Sequence, residues 1–420
     1  MSEAVTTLSR GRRKAALGFI FVVALLDVVS LGIMIPVLPN LLKAMVGGDT
    51  ATAATWQVLF ATTWGVAQFL CAPVIGLLSD RFGRRPVILT SIFGLGVDFL
   101  FMAFAPTLLW LYVGRIFNGI TAASFSAASA YIADVTPPDG RAKAFGLIGA
   151  AWGVGFVIGP AIGGGLAEID LRLPFLVAAG MSLLNWLYGL FILPESLPPE
   201  RRIKRIDWRR ANPLGSVKLL RSHPELSRLA SVLALWAVAH NVLPAIFVLY
   251  TGHRYGWSPG TIGLTMMLTG VLGIIVQAVL VGPIVKRLGE RGTLLLGLCA
   301  GAVGMAWFAS ASEGWAYLAG APVWALSGLV MPGLQGLMTR RVGSSEQGQL
   351  QGATAMINGL AAMGGPALFG LTFAWSLRTD PPAPGAAIYV AAVLIAAAAL
   401  IAVFAARAQA RVTASSSALP

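Results

Sequence analysis

Long apolar runs separated by short polar breaks make up most of the chain. Twelve of these runs are each close to the roughly 20 residues that a helix needs to cross a bilayer. They predict membrane-spanning helices at residues 15–38, 54–78, 87–105, 108–133, 142–167, 173–194, 226–250, 260–285, 292–311, 314–338, 348–374 and 385–406. The pattern therefore predicts an all-α integral membrane protein.

A single long polar break, residues 195–225, divides these twelve runs into two sets of six. The break is rich in arginine, so we interpret it as a cytoplasmic basic linker that lies along the anionic leaflet. The predicted organisation is a six-helix bundle over residues 1–194, the linker over 195–225 and a second six-helix bundle over 226–411. Residues 412–420 are small and polar and are predicted to be a disordered tail.

Composition supports the same class, with 57% apolar residues, 11% charged residues and a mean hydropathy of +0.78. A net charge of +13 would also suit a nucleic-acid-binding protein. However, most of the lysines and arginines lie in the loops on one predicted side of the membrane. This bias predicts that both termini are cytoplasmic and argues against nucleic acid as a partner.

The loop between the second and third predicted helices reads Gly-Leu-Leu-Ser-Asp-Arg-Phe-Gly-Arg-Arg-Pro from Gly76. Taken alone, it could be a basic loop that only sets topology. A similar stretch begins at Gly282, and several residues match at one constant separation: Gly76, Arg81, Gly83, Arg85 and Gly159-Pro160 fall on Gly282, Arg287, Gly289, Arg291 and Gly365-Pro366. The chain is therefore an internal duplication, and parallel duplicated halves are typical of transporters.

Asp27, Asp98 and Arg115 are the only aspartate, glutamate, lysine or arginine residues inside the predicted hydrocarbon region. Because an isolated charge there is costly, we expect the three side chains to face one another or a water-filled cavity. Low polarity favours a protonated acid and a nearby arginine favours the carboxylate, so the protonation of such an acid can change with conformation. Two structural alternatives stay open, namely that Asp27 only bonds neighbouring helices and that Asp98 and Arg115 form a fixed ion pair.

Polar residues within the spans of the second half are mild ones, namely His240, Asn241, Gln277, Gln335 and Asn358. Each could simply form a hydrogen bond to a neighbouring helix, but as a set they could line a cavity for an amphipathic ligand. Asn118 in the first half is assigned to the same candidate binding set. Trp56, Trp64, Trp236 and Trp324 lie near predicted span ends and are interpreted as interfacial belts.

Small residues recur every four positions at Gly155, Gly159 and Gly163, which predicts close approach of a neighbouring helix backbone. Pro160 within this face favours a bend. Asp134 ends the fourth predicted span, where it is either a solvated acid or the partner of an arginine in the loop at residues 81–85.

At these residues the chain resembles the major facilitator superfamily, and within it the drug/proton antiporters related to bacterial tetracycline efflux proteins. The loop from Gly76, the first-helix stretch from Asp27 to Pro39 and the fifth-helix stretch from Gly155 to Gly164 carry the resemblance. The last of these is the antiporter-specific part. The resemblance implies two pseudo-symmetric six-helix bundles in the bacterial inner membrane. It also implies export of a drug-like compound in exchange for a proton, with no cofactor beyond the proton gradient, and we expect the protein to act as a monomer.

The resemblance also implies residue roles. Asp27, Asp98 and Arg115 would couple transport to protons. Asp80 would cap a closure of the outward-facing state, and Arg84 with Asp134 would form its charge relay. The full gating set is Asp80, Arg81, Gly83, Arg84, Arg85, Asp134, Gly155, Gly159, Pro160 and Gly163.

At two positions the chain departs from the tetracycline antiporters, and both differences argue against metal-bound tetracycline as the substrate. The tetracycline antiporters carry an acid where this chain has Gly301, and often a histidine where it has Gly273. The prediction is therefore an exporter of amphipathic drugs, with a metal-tetracycline/proton antiporter or an importer of a small metabolite as alternatives. The sequence carries no nucleophile motif, metal-ligand constellation or phosphate-cradling loop, so an enzyme or an ATP-driven pump is not predicted.

Overall fold

The computed structural model describes residues 10–121, 124–136, 141–203, 224–343 and 346–416, and these contain helices and no strand. The first-half helices are α1 (Arg10–Met34), α2 (Leu38–Met45), α3 (Thr50–Phe82), α4 (Arg84–Phe104), α5 (Leu108–Thr121), α6 (Ser124–Val135), α7 (Arg141–Ala167) and α8 (Leu173–Ile192). The second-half helices are α9 (Pro224–His240), α10 (Val242–Tyr255), α11 (Pro259–Ile275), α12 (Val281–Ser310), α13 (Gly314–Ala325), α14 (Val330–Thr339), α15 (Gln347–Ser376) and α16 (Ala386–Ser416).

Ten helical segments in the described part of the chain are long and apolar enough to cross a membrane. One of them, Pro259–Ser310, has 52 residues, which at the helical rise makes it about 78 Å long, more than twice the roughly 30 Å of a hydrocarbon core. Gly289 breaks this segment with φ 66° and ψ 176°, so it supplies two spans. The shorter apolar helix Leu108–Ile120 falls in the predicted span 108–133. The predicted all-α membrane fold is confirmed, and each of the twelve predicted spans coincides with helical structure.

The described residues fall into two compact units. The first takes them from Met1–Gly48, Thr63–Asn212 and Trp257–Met267. In this unit α1 packs on α7 and α8, while α4 packs on α5 and α8. A Cβ added to Gly159 of α7 would lie 2.7 Å from the Cα of Gly32 in α1, and one added to Gly155 would lie 2.6 Å from Val28 Cγ1. The recurring glycines therefore let the α1 and α7 backbones touch.

The second unit takes its residues from Asp49–Thr62, Pro213–Gly256 and Leu268–Pro420. Here α12 packs on α14 and α16, and α9 packs on α15 and α16. Two turns in this unit depart from α geometry, a π-helical turn at Val276–Leu280 and a 3₁₀ turn at Leu326–Leu329. Gln277 Nε2 in the first donates to the carbonyl of Gly328 in the second at 3.2 Å, which ties the two turns together.

The chain end differs from the prediction. Helix α16 continues to Ser416, so residues 412–416 are helical where a disordered tail was predicted. The alanine and arginine residues that precede this stretch favour helix continuation, since both types have high helix propensity. Residues 417–420, and most of the predicted linker, lie outside the described residues.

Candidate functional site

A cavity of about 680 Å³ lies in the first unit. Its wall is mostly apolar, formed by side chains of α1, α3, α4, α5, α6 and α7. The polar and aromatic groups that line it are Asp27, Trp64, Gln68, Arg115, Asn118 and Trp152. An apolar chamber with few polar groups is the usual form of a small-molecule site.

Asp27 and Arg115 supply the two ionisable groups on this wall. Arg115 is 7% exposed, and its Nη1 approaches Met34 Sδ at 3.5 Å. The guanidinium carbon also lies 5.7 Å from the ring centre of Trp64, which is the range of a cation–π interaction. In the described part of the chain its close contacts are therefore a thioether and an aromatic face, and no carboxylate lies within salt-bridge distance of it.

Asp98 lies behind the cavity wall and is 3% exposed. Asn118 Nδ2 donates to Asp98 Oδ2 at 2.8 Å, while Trp64 Nε1 donates to Asn118 Oδ1 at 2.7 Å. Asp98 Oδ1 has no hydrogen-bond partner among the described residues, and no salt bridge within 4.0 Å joins Asp98 to Arg115 there. The structure thus brings Asp27 and Arg115 to one cavity and links Asp98 to it through Asn118, without the fixed ion pair that was one alternative.

The interpretation of the tryptophans as interfacial belts is wrong for Trp64 and Trp236. Trp64 lines the cavity, and Trp236 is only 5% exposed. In the second unit the ring of His240 lies 5.3 Å from that of Trp236 and 5.9 Å from that of Trp324. For Trp56 and Trp324, which are both half-buried, the interpretation stays a prediction. Proximity to a predicted span end was a poor guide for Trp64 and Trp236, because their side chains face the protein interior.

The other candidate binding residues of the second unit have separate local partners. Asn241 Nδ2 donates to the carbonyl of Ala237 at 2.8 Å, and Gln277 is engaged by the 3₁₀ turn described above. Asn358 is exposed. No hydrogen bond joins these side chains to one another or to His240 within the described residues, so a shared binding role for them stays a prediction.

Ser79 and Asp80 at the end of α3 and Arg84 at the start of α4 meet Asp134 and Glu195, and we call these five residues the arginine cluster. Arg84 Nη1 lies 2.5 Å from Asp80 Oδ1 and 2.6 Å from Ser79 Oγ, and its Nε lies 3.2 Å from Asp134 Oδ2. The predicted pairing of Asp134 with an arginine of the loop at residues 81–85 is therefore present. A gating role for the cluster stays a prediction.

Glu195 is the member of the cluster that sequence reasoning missed. Its Oε1 accepts the backbone N–H of Arg84 at 2.9 Å, at the first turn of α4. The positive end of that helix is thus taken by Glu195 and not by Asp80. Gly83, with φ 106°, is held so closely that a Cβ there would collide with the Glu195 carboxylate. The sequence signal was an acid placed directly after a long apolar span.

The other two arginines of this stretch, Arg81 and Arg85, contact a ring and a backbone carbonyl. Arg85 Nη2 donates to the carbonyl of Leu190 at 2.5 Å, whereas the exposed Arg81 lies over the ring of Phe82.

Glu168 follows the end of α7, where it accepts hydrogen bonds from the Ser258 hydroxyl and the Gly260 N–H. These two bonds hold the pKa of Glu168 below its usual value. Because the pKa of Glu168 is lower in the folded protein, its ionisation stabilises the fold at every pH above the pKa of the unfolded state. This contribution is lost as the pH falls through the pKa of the folded state.

No group of three or more histidine, cysteine, aspartate or glutamate residues that could hold a metal ion occurs among the described residues. The two cysteines, Cys71 and Cys299, are both free. The side chains of the cavity wall offer proton binding by a carboxylate, cation–π and stacking contacts, and amide hydrogen bonds.

Comparison with known proteins connects this geometry to transport. A family model described as Major Facilitator Superfamily matches residues 20–366. The chain is 41% identical over 354 residues to the tetracycline resistance protein, class C, of Escherichia coli, covering 84% of this chain and 88% of that protein. It is 34% identical over 358 residues to the class B protein of Escherichia coli, covering 85% and 88%.

Solved structures share the fold. The nucleoside transporter NupG matches with a TM-score of 0.74 at 12% identity, covering 93% of this chain and 98% of that chain. The human organic anion transporter MFSD10 matches with a TM-score of 0.67 at 22% identity, covering 93% and 99%. At such identities the likeness is one of fold.

Proposed function

The chain belongs to the Major Facilitator Superfamily, and from this membership we propose that it is a proton-coupled exporter of amphipathic, drug-like small molecules. It is a multi-pass membrane protein. The proposal places it in a bacterial inner membrane with both termini in the cytoplasm, working as a monomer by alternating access. It needs no cofactor, since the proton gradient supplies the driving force.

The single observation that carries the proposal is the cavity of the first unit with Asp98 behind its wall. A drug-sized chamber that holds Asp27 and Arg115 offers charged partners in apolar surroundings. Asp98 is buried and has one carboxylate oxygen without a partner among the described residues. An acid in that position has room for a proton, and ionisable groups at membrane depth are functional by default.

Two considerations favour export over import. The relatives above are named for resistance to a drug, and a membrane transporter provides resistance when it removes the drug from the cell. The stretch from Gly155 to Gly164 also resembles the antiporters, and its glycines do bring α7 against α1. Uptake of a small metabolite is accordingly disfavoured.

A metal-tetracycline/proton antiporter is the second candidate, favoured by the 41% identity to a tetracycline resistance protein. Against it stands Gly301, where a Cβ would already lie 3.4 Å from Trp236 and 3.3 Å from Ser327 Cβ. An acidic side chain at that position would have to fit between these two neighbours. Gly301 and Trp236 are both buried, so the described structure holds no space there for the carboxylate that would meet a chelated metal ion.

The test of proton coupling is Asp98→Asn, which preserves size and removes the titratable proton. We expect cells that produce this variant at the native level to lose uphill export of ethidium, because an amide cannot alternate between a proton and a charge. Asp27→Asn should weaken drug binding more than coupling. Full uphill export by Asp98→Asn would contradict the proposal. Dependence of export on magnesium, with tetracycline as the drug, would favour the second candidate.

A further inference from the structure

We infer that Asn118 and Trp64 carry the protonation state of Asp98 to the wall of the cavity, so that proton and substrate compete without sharing an atom. The inference rests on the proposed function and adds to it a pair of positioning residues. Asn118 was assigned from sequence to substrate binding and Trp64 to an interfacial belt. Their geometry gives both a different task.

The link is a short chain of two hydrogen bonds, one buried and one partly buried. Trp64 Nε1 donates to Asn118 Oδ1 at 2.7 Å, and Asn118 Nδ2 donates to Asp98 Oδ2 at 2.8 Å. Both Asn118 and Trp64 line the cavity, but Asn118 is fully buried, while Trp64 is partly exposed. The amide is used at both ends, as an acceptor towards the ring and as a donor towards the acid. Its orientation is therefore fixed by the pair.

Protonation of Asp98 alters the strength of this chain. While Asp98 is a carboxylate, the bond from Asn118 is charge-assisted, which makes it roughly twice as strong as a neutral one. Oδ1 is the oxygen without a partner in the described residues, so it is the atom free to take the proton. Oδ2 then remains an acceptor, but a neutral one. Because linked hydrogen bonds polarise one another, the bond from Trp64 weakens as well.

Few other charges act on Asp98. Arg115 on α5 is the charged group that interacts with it electrostatically. The other titratable groups on the described helices packed against α4 are the phenols of Tyr112, Tyr131 and Tyr188, together with Asp134, which is held by Arg84. Asp27 lines the same cavity from α1. A pH response of Trp64 that disappears in Asp98→Asn is therefore attributable to Asp98.

The direction of the effect suits an antiporter. With Asp98 ionised, Trp64 is held firmly and offers a fixed aromatic face to an incoming ligand. A proton on Asp98 loosens the ring and weakens ligand binding. Coupling is reciprocal, so a ligand that stacks on the held ring must favour proton release by the same factor. A ligand that enters therefore favours release of the proton from Asp98.

The direct test uses the proton alone. The indole ¹⁵N–¹H signal of Trp64 would be followed against pH in the full-length protein in lipid nanodiscs, assigned by its loss in Trp64→Phe. Protonation of Asp98 would be followed by its infrared carboxyl band, assigned by its loss in Asp98→Asn. We expect both signals to change with one midpoint, and the Trp64 signal to become insensitive to pH in Asp98→Asn. A Trp64 signal that stays constant while Asp98 titrates, or that still titrates in Asp98→Asn, would overturn the inference.

Transport gives a second readout. In everted vesicles with ethidium as the probe, the native KM should change with pH by about tenfold, in the usual range of coupling between two sites. Trp64→Phe keeps a ring but removes the N–H, so its KM should be nearly independent of pH. Trp152→Phe removes an indole N–H from the same cavity wall and should keep the native pH dependence, whatever it does to KM itself. Equal flattening by both variants would contradict the link.

The titration and the transport experiment together distinguish failure of this inference from failure of the proposed function. If ethidium is not exported in a proton-dependent manner, the proposed function fails, while the Trp64 and Asp98 titrations still decide whether the link exists. If export is proton-dependent but Trp64 does not follow Asp98, the link alone fails.

Discussion

The guanidinium group of Arg84 joins the start of α4 to two other segments of the chain. Its Nη1 serves Asp80 and Ser79 at the end of α3, and its Nε reaches Asp134 at the end of α6. The side chain is only 11% exposed, so these bonds are poorly screened by solvent. A lysine carries the same charge but lacks the planar fork that meets several acceptors at once.

We therefore expect Arg84→Lys and Asp80→Asn to insert normally and to slow transport by about tenfold or more, since hydrogen bonds to charged groups contribute about 1.5–3 kcal/mol. Loss of these bonds should shift the balance between conformations and leave the fold intact. Cysteine-accessibility labelling should then show the cytoplasmic side open more of the time. Lys286→Arg, at the position that corresponds to Asp80 in the second half, is the control and should have little effect. Normal transport by Asp80→Asn, or equal damage from Lys286→Arg, would return the loop to a role in topology.

Glu195 marks the limit of sequence reasoning at this scale. The pairing of Asp134 with an arginine could be predicted, because an acid at a span end needs a partner and the nearby loop is rich in arginine. The cap that Glu195 places on α4 could not, since it depends on the path of the chain beyond α8. Trp64 was missed for a similar reason. Its partner Asn118 lies on another helix, and no spacing along one helix reveals such a contact.

At the scale of elements, the contact between α1 and α7 depends on the absence of side chains. A Cβ on Gly159 would fall 2.7 Å from a backbone atom of α1, and backbone cannot move aside as a flexible side chain can. The sequence correctly predicted that another helix backbone approaches α7 closely, because glycines four positions apart share one face of a helix. It did not identify α1 as the partner.

The expected consequence is a local difference between two glycines of one helix. Gly159→Ala should destabilise the protein by about 1–3 kcal/mol, the usual cost of overpacking. Gly165→Ala should be neutral or slightly stabilising, since a Cβ there meets nothing within 4 Å and alanine favours helix. Thermal unfolding of both variants in the same detergent is the measurement. An equal change in Tm for the two would show that α1 and α7 are not packed as described.

At the scale of the whole molecule, the two halves repeat one design in the register read from the sequence. Gly83 and Gly289 both have positive φ, at 106° and 66°. The same separation relates Arg84 to Glu290 and Asp134 to Arg340. Those residues also pair, with Arg340 Nη2 lying 2.7 Å from Glu290 Oε1. The second half therefore keeps the ion pair of the first with its charges exchanged, which no match of identical residues could have revealed.

If the pairing and not its polarity matters, exchanging the charges of the second pair should be tolerated. Glu290→Arg and Arg340→Asp should each slow transport, and the double variant should recover to within about threefold of native, as a double-mutant cycle reports for coupled residues. Stability should change by no more than about 1 kcal/mol, because Arg340 is 74% exposed. Ethidium transport by the four proteins is the measurement. A double variant as slow as the worse single variant would show that the pair has no shared role.

The protein is proposed to exchange drug for protons, so that neither crosses the membrane without the other. Everted vesicles with a preformed acid interior test it most directly, with the gradient read by a pH-sensitive dye. Ethidium added to vesicles that contain the native protein should dissipate part of the gradient, because each drug molecule taken up releases protons outward. Vesicles with an equal amount of Asp98→Asn should keep their gradient. A native protein that takes up ethidium without disturbing the gradient, or an Asp98→Asn protein that dissipates it equally, would contradict the account.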